Sequence, residues 1–276
     1  MKLILITMLY KIKEPIYICG DIHGNFHWLK PYIEKYDLSD CSIVFCGDIG
    51  LGFKPLEVWY KWIHGLKLTG ILRKRKIDCY FIRGNHDDPA WFNDTTLVTK
   101  HFKAVSDYSV LASPNHNILC VGGGISIDRS DRKLQMKFSY LEYLKYHPNV
   151  TVEEAKSKTV QIYWPNEAPV YNEAAIDGLT CQIDTVCSHI APTEFPPLTG
   201  PDKYWFRVDP DLHKDCAAER GAMSNVLHRL LENQHPLQQW YYGHYHFYET
   251  GKFGGVSTNL LDMARDGALF LKELRT

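Results

Sequence analysis

Side chains that can bind metal ions follow short apolar runs at five points of the chain. Asp21 and His23 come after the run that ends at Cys19, and Asp48 comes after the run that ends at Cys46. The other three blocks are Gly84-Asn85-His86-Asp87, Ser188-His189 and Gly243-His244-Tyr245-His246. Asp87 aside, the blocks together offer two carboxylates, one amide oxygen and five imidazoles, and no thiolate. Oxygen donors mixed with imidazoles suit divalent transition metals such as Mn, Fe or Zn.

The size of this donor set indicates how many ions it would hold. Eight groups are too many for one ion that keeps a position open for a substrate. They are about the right number for two ions that share a bridging carboxylate. A pair of ions about 3.5–4 Å apart stabilises both the attacking and the leaving oxygen of an in-line displacement. The residues therefore predict a two-metal centre.

The elements that must position these blocks are read from the apolar runs. Runs of four or five residues, rich in β-branched and aromatic types, are typical of buried strands. They cover residues 16–19, 42–46, 78–82, 117–121, 184–187 and 239–242. Helical spacing between the early runs predicts an α/β fold with largely parallel strands. Sites in such sheets form outside the carboxyl ends of the strands, so we expect the five blocks to converge.

The rest of the chain is predicted from helical spacing and from turn residues. Helices are expected over residues 27–36, 55–66, 151–158 and 215–233, and terminal strands within residues 250–272. Residues 126–179 break the alternation, and strands resume after them. We therefore expect a lid-like insertion in one domain that spans residues 1–276. Residues 192–210 contain five prolines and predict a long loop.

Composition narrows the possible partners and the compartment. The 276 residues are 45% hydrophobic and carry a net charge of -1, which argues against disorder and against an extended nucleic-acid surface. No apolar run approaches the ~20 residues of a membrane span. Five of the eight cysteines lie in or at the end of apolar runs, as buried reduced thiols do: Cys19, Cys46, Cys79, Cys120 and Cys187. This usage predicts a cytoplasmic protein.

The ordered set of five blocks resembles the calcineurin-like metallophosphoesterase superfamily, over residues 16–246. The resemblance implies a four-layer α-β-β-α sandwich of two mixed β-sheets flanked by helices. It also implies two divalent metal ions, with Mn, Fe or Zn favoured and Mg possible. The implied ligands are Asp21, His23 and His246 for the first ion, Asn85, His189 and His244 for the second, and Asp48 between them.

The resemblance also implies a mechanism of phosphate ester hydrolysis. A hydroxide held between the two ions would attack phosphorus, with no covalent intermediate. His86 would protonate the leaving oxygen or stabilise the charge that builds on it. Asp87 would orient His86 or support a metal ligand.

Two local features place the chain within the superfamily. Residues 20–24 and 83–86 resemble the branch that holds Ser/Thr protein phosphatases and diadenosine-tetraphosphate hydrolases. That branch continues its second block with Asp-Arg-Gly, which is replaced in this chain by the stretch Gly47-Asp48-Ile49-Gly50-Leu51-Gly52-Phe53. The missing arginine argues against a protein phosphatase. Residues 122–129 and 164–169 resemble bacterial and phage members, and we hypothesise that Arg129 or Arg132 replaces the lost phosphate contact, because guanidinium matches phosphate bidentately.

The function predicted from the sequence is hydrolysis of phosphomonoesters. The substrate would be a phosphorylated small molecule, a nucleotide or a phosphoprotein. Phosphodiesterase, nucleotidase or nuclease activity remains open, since all occur in the superfamily. A metallophosphoesterase fold that serves as a non-catalytic scaffold is a third possibility.

Overall fold

Two β-sheets lie face to face in the computed structural model, which describes residues 8–97, 99–198 and 203–275. The strands are β1 (Leu9–Lys11), β2 (Ile16–Cys19), β3 (Ser42–Phe45), β4 (Asp78–Phe81), β5 (Phe102–Ala104), β6 (Val110–Ala112), β7 (Asn117–Val121), β8 (Thr185–Ser188), β9 (Gln239–Tyr242), β10 (Glu249–Phe253), β11 (Val256–Leu260) and β12 (Leu271–Glu273). The helices are α1 (Leu29–Lys35), α2 (Leu56–Gly65), α3 (Leu68–Arg75), α4 (Arg129–Tyr146), α5 (Val152–Lys158), α6 (Glu173–Asp177), α7 (Lys203–Val208) and α8 (Leu212–Glu232).

Both sheets are mixed. The first has the order β12-β2-β3-β4-β5, in which β2 to β5 are parallel and β12 is antiparallel to β2. The second has the order β1-β6-β7-β8-β9-β11-β10, and its central strands β7, β8, β9 and β11 are parallel. Parallel neighbours end at the same edge of a sheet, so the loops after β2, β3 and β4 start side by side, as do those after β8 and β9.

Alternation along each strand distributes side chains between three apolar layers. In β3, Val44 points into the layer between the sheets, while Ile43 and Phe45 pack with α1, α2 and α3. In β9, Tyr241 points into the same middle layer, while Trp240 and Tyr242 pack with α8. Burial on both faces explains why the strands are continuous apolar runs. The predicted α-β-β-α sandwich is confirmed.

Most predicted elements are present, with ends shifted by a few residues. The strands β2, β7 and β9 have the predicted bounds, and the tail forms β10 to β12. All eight cysteines are unpaired, and six of them are buried. Within the described ranges, no helix combines the length and the hydropathy that a membrane crossing needs.

Four helices of the described residues, α3, α4, α6 and α7, are not among those given from the sequence. The 18-residue helix α4 lies in the segment 126–179, where a helix was expected only at residues 151–158. Arg132 is its one buried residue, and its apolar residues at helical spacing, Leu134, Phe138 and Leu141, are exposed; the sequence analysis did not recognise that spacing. The short helix α7 interrupts the loop predicted at residues 192–210, of which residues 199–202 lie outside the described part of the chain.

Candidate metal centre

All five blocks predicted to converge do so at the carboxyl ends of β2, β3, β4, β8 and β9. Within this site the donor atoms form two adjacent groups. In the first group, ligand atoms of Asp21, His23, Asp48 and His246 all lie within 4.8 Å of one another. The Nε2 atoms of His23 and His246 are 3.0 Å apart, and His246 Nε2 lies 3.3 Å from Asp21 Oδ2.

The second group is built around the side-chain oxygen of Asn85. Asn85 Oδ1 lies 2.9 Å from both His189 Nε2 and His244 Nδ1. These two ring nitrogens are 3.2 Å apart. The group is more enclosed than the first, because His189 is fully buried.

Asp48 belongs to both groups. Its Oδ2 lies 3.7 Å from His23 Nε2 in the first group, and its Oδ1 lies 3.2 Å from His189 Nε2 in the second. Its carboxylate therefore stands between the two groups, where a bridging ligand would be needed.

The donor set fits a pair of cations. His189 Nδ1 lies 2.7 Å from the carbonyl oxygen of Cys46 and donates to it, so in the neutral ring Nε2 carries a lone pair. That lone pair faces Asn85 Oδ1, which is also an acceptor. A proton or a metal cation between such atoms removes their repulsion. A ring nitrogen held by a backbone carbonyl on its other side is also the usual arrangement of a metal-binding histidine.

Burial and the charges of neighbouring side chains shift the pKa values of the buried groups, in several cases in opposite directions. Burial would raise the pKa of Asp48, but the imidazoles of His189, His86 and His23 outweigh it and hold that pKa well below its usual range. Burial opposes protonation of His189, yet Asp48 and Asp21 raise its pKa. The pKa of His244 is lowered, by burial first and by His189 second. The imidazoles thus keep the Asp48 carboxylate ionised.

Backbone strain is concentrated at the same residues. His23, Asp48, His244 and His246 have φ values of 42°, 51°, 72° and 59°, in the left-handed region that non-glycine residues rarely adopt. Each costs of the order of 1 kcal/mol. Gly84 allows a close approach, since a Cβ there would lie 2.1 Å from Asp48 Oδ1. Strain of this kind is typical of functional sites.

Of the two roles that the sequence analysis offered for Asp87, the hydrogen bonds do not match the first, orienting His86. Asp87 Oδ1 accepts hydrogen bonds from the backbone N–H groups of Gly50 and Leu51, and its Oδ2 accepts from those of Ile49 and Gly84. The carboxylate therefore joins the loop after Asp48 to the loop before Asn85, and it does not orient the His86 ring. Burial and the nearby Asp48 raise its pKa to about 7, against the effect of these N–H groups.

His86 lies beside the two donor groups and contacts Arg132. Arg132 Nη2 is 2.6 Å from His86 Nε2, and Arg132 is held by Asp128 and by the carbonyl oxygen of Ile162. Burial lowers the pKa of His86 to about 4; Asp48 opposes this shift and Arg132 adds to it.

Arg129, the other arginine named from the sequence, has different partners. Its guanidinium forms ion pairs with Asp209 at 2.6 Å and with Asp215 at 2.7 Å. It lines a separate cavity behind the site, together with Tyr163 and Glu219. Of the two arginines, only Arg132 lines the cavity above the donor groups.

That cavity has a volume of about 500 Å³. Its floor is formed by ligand candidates and His86, and its walls include Trp205, Tyr245 and Phe247. A space of this size holds more than a phosphate group.

The sequence analysis did not recognise two residues that contact the second group. Asn85 Nδ2 donates to Ser126 Oγ at 3.2 Å, and Ser126 in turn contacts Glu167. Ser126 follows β7 after a run of glycines, by the same rule that identified the other five loops. The end of β7, a sixth strand end, was the feature of the sequence from which Ser126 could have been identified.

Comparisons with known proteins agree with the motifs. A family model described as calcineurin-like phosphoesterase matches residues 14–248. The Ser/Thr-protein phosphatase 4 catalytic subunit of Saccharomyces cerevisiae is 32% identical over 129 residues, which are 43% of this chain and 41% of that protein. The Candida glabrata protein of the same name is 32% identical over 138 residues, with the same coverage. The chain thus spans about two fifths of the length of these relatives.

The solved structures that the chain resembles are more distant in sequence. A dimetal phosphatase from Danio rerio has a TM-score of 0.47 and 14% identity, over 91% of this chain and 88% of that one. A phosphopantetheinyl hydrolase from Mycobacterium tuberculosis has a TM-score of 0.40 and 13% identity, over 90% and 89%.

The hydrogen bonds of Asp87 predict the effect of replacing it. Asp87→Asn should lower the free energy of unfolding by about 3 kcal/mol, because one oxygen is lost and buried N–H groups are left without an acceptor. Urea unfolding followed by circular dichroism measures the change. Asp88→Asn is the matched control, since Asp88 accepts from Ala90 N–H at the start of a short helical turn and Asn serves equally well there. Equal midpoints for the two variants would contradict the bracing role of Asp87.

Proposed function

The chain belongs to the calcineurin-like phosphoesterase family, and from that premise we propose that it hydrolyses phosphomonoesters at a centre of two divalent metal ions. One observation carries the proposal. Two groups of donors share the carboxylate of Asp48, with His189 Nε2 at 3.2 Å from one oxygen and His23 Nε2 at 3.7 Å from the other.

Each donor group supplies the ligands of one ion. Asp21, His23 and His246 would hold the first, and Asn85, His189 and His244 the second, with Asp48 in contact with both. Bound there, two divalent ions supply an activated water and neutralise charge on the phosphoryl oxygens. Mn, Fe and Zn all match the mixture of oxygen and nitrogen donors.

Arg132 is the residue that would bind the phosphate. Its guanidinium lines the cavity above the donors and now lies against His86. A phosphate group that enters would take over the guanidinium donors, because their planar arrangement matches phosphate oxygens. The Nε2 atom of His86 would then be free to face the leaving oxygen.

His86 would act on the leaving group. A phosphate dianion beside Arg132 would offset the positive charge that helps to lower the pKa of His86. His86 could then hold a proton on Nε2 and donate it to the departing oxygen, or stabilise the charge there by a hydrogen bond. The group that departs would lie against the aromatic wall of Trp205, Tyr245 and Phe247.

The remaining parts of the proposal concern organisation and location. Residues 126–179 would act as a lid-like insertion in one domain, because they supply Arg132 to the cavity. The buried, unpaired cysteines favour a reducing compartment and hence the cytoplasm. Phosphodiester or nucleotide hydrolysis is the alternative that the cavity volume keeps open.

A metal-dependent activity assay tests the function. Protein treated with chelator and then supplied with Mn²⁺, Zn²⁺ or Mg²⁺ should hydrolyse p-nitrophenyl phosphate faster than bis-p-nitrophenyl phosphate. Asp48→Asn should abolish turnover and weaken both ions, since it removes a charged ligand shared by both groups. Faster diester hydrolysis would favour the phosphodiesterase alternative. Metal-free, inactive wild-type protein would favour the scaffold alternative.

A second variant isolates the role of His86. His86→Ala should retain both metal ions and lose roughly 10²- to 10⁴-fold in kcat, the usual contribution of positioned proton transfer. Metal content by mass spectrometry and kcat are measured on the same preparation. Unchanged turnover, or loss of an ion, would refute the assignment to the leaving group.

The two arginines provide a matched pair. Arg132→Ala should lower kcat/KM by roughly 10- to 100-fold, which corresponds to one or two charge-assisted hydrogen bonds. Arg129→Ala should leave kcat/KM within about threefold of wild type, since its guanidinium is held by Asp209 and Asp215. A larger loss for Arg129→Ala would reverse the assignment.

A further inference from the structure

The second donor group is connected to the insertion through a chain of two hydrogen-bonding residues. Asn85 Nδ2 donates to Ser126 Oγ at 3.2 Å. Ser126 Oγ lies 2.8 Å from Glu167 Oε2, and Ser126 N–H donates to Glu167 Oε1 at 2.7 Å. All three residues are buried, with relative exposures of 4%, 1% and 2%.

The direction of these hydrogen bonds determines which end of the Asn85 amide faces the metal site. An amide nitrogen can only donate, so Ser126 Oγ must accept from Asn85 Nδ2. A hydroxyl that accepts from the amide directs its own proton to the Glu167 carboxylate. Asn85 Oδ1 is consequently the end that faces His189 and His244. The reverse orientation would point an NH₂ group at the position of the cation.

The segment that contains Ser126 and the segment that contains Glu167 are also joined by a main-chain hydrogen bond. The carbonyl oxygen of Glu167 accepts from Gly124 N–H at 3.1 Å and from Arg83 Nη1 at 2.6 Å. Gly124 borders the second group, since a Cβ there would lie 2.9 Å from His189 Cδ2 and 3.5 Å from Asn85 Oδ1. These contacts hold Glu167 in place independently of its carboxylate, so the side chain can be changed with the loop kept.

We propose that Glu167 and Ser126 are positioning residues that orient Asn85 for the second metal ion, an inference that rests on the two-metal centre of the proposed function. The insertion thus supports the metal site as well as the substrate cavity. The residues act through Asn85 and do not touch the substrate. Their loss should weaken the second ion and leave the first unchanged.

Mn²⁺ titration of metal-free protein, with free Mn²⁺ measured by electron paramagnetic resonance, tests this. Wild-type protein should bind two ions per chain. Ser126→Ala should raise the Kd of one ion by about 10- to 100-fold, the usual effect of removing a group that supports a metal ligand, and leave the other Kd unchanged. Ser126→Thr keeps the hydroxyl and should stay within about threefold of wild type. Glu167→Gln should weaken the same ion as Ser126→Ala.

Glu219→Gln is the matched control. Glu219 is a second buried carboxylate that accepts from the neighbouring Ile125 N–H at 2.7 Å, and it makes no contact with Asn85 among the described residues. This variant should bind both ions as wild type does. A double-mutant cycle adds the decisive comparison: in an Asn85→Ala background, Ser126→Ala should cause no further loss.

The outcomes separate the inference from the function on which it rests. Wild-type protein that binds fewer than two ions would overturn both. If wild type binds two, the orienting role is overturned by any of three results: two tight ions in Ser126→Ala, equal weakening of both ions together with weakening in Glu219→Gln, or additive losses in the cycle.

Discussion

The sharing of one carboxylate between two groups of donors is the constraint on which the site depends. Asp48 can serve both groups only if the loops from the two sheets approach it from opposite sides at contact distance. The side chain is 2% exposed, so water cannot replace the contacts that Asp48 would lose if it were displaced. Several features of the chain serve to hold it there: the left-handed backbone of Asp48 itself, the lack of a Cβ at Gly84, and the N–H of His86 that donates to Oδ1 at 2.8 Å.

The left-handed backbone of the donor residues is tolerated because many contacts of the surrounding fold fix their positions. Both sheets are buried on their two faces, and their parallel strands end in register beside the site. A loop between two such strands has few alternative conformations, so left-handed residues can be kept at His23 and His244. Asp87 contributes by joining two of these loops through four backbone hydrogen bonds. The residues proposed as metal ligands and those that hold their loops in place are therefore not all the same.

The sequence predicted those parts of the site that short stretches of neighbouring residues determine. An apolar run, a small residue and then Asp, Asn or His identifies a strand end, and five such ends brought together every expected ligand. Asp87 could not be assigned in this way, because its partners are backbone groups of a loop 36 to 38 residues away, apart from the N–H of Gly84. Arg129 and Arg132 are three residues apart on α4, and their environments differ through distant residues: Asp209 and Asp215 hold Arg129, whereas Arg132 contacts His86 and the carbonyl oxygen of Ile162. Helix α4 carries apolar residues at helical spacing, Leu134, Phe138 and Leu141, but they are exposed and do not join the core by which the other helices were recognised.

Buried negative charge around the centre is compensated in two different ways. A buried carboxylate costs free energy unless hydrogen bonds or opposite charge replace its hydration. Asp87 and Glu167 accept backbone N–H groups, and burial still raises the pKa of each to about 7. Asp21 and Asp48 face imidazole nitrogens, which serve as neutral ligands when a metal is bound. Divalent cations would supply the positive charge that these two carboxylates lack, and their field would favour the ionised forms of the acids behind them. The near-neutral net charge of the whole chain therefore says little about this pocket, where the charge balance depends on what is bound.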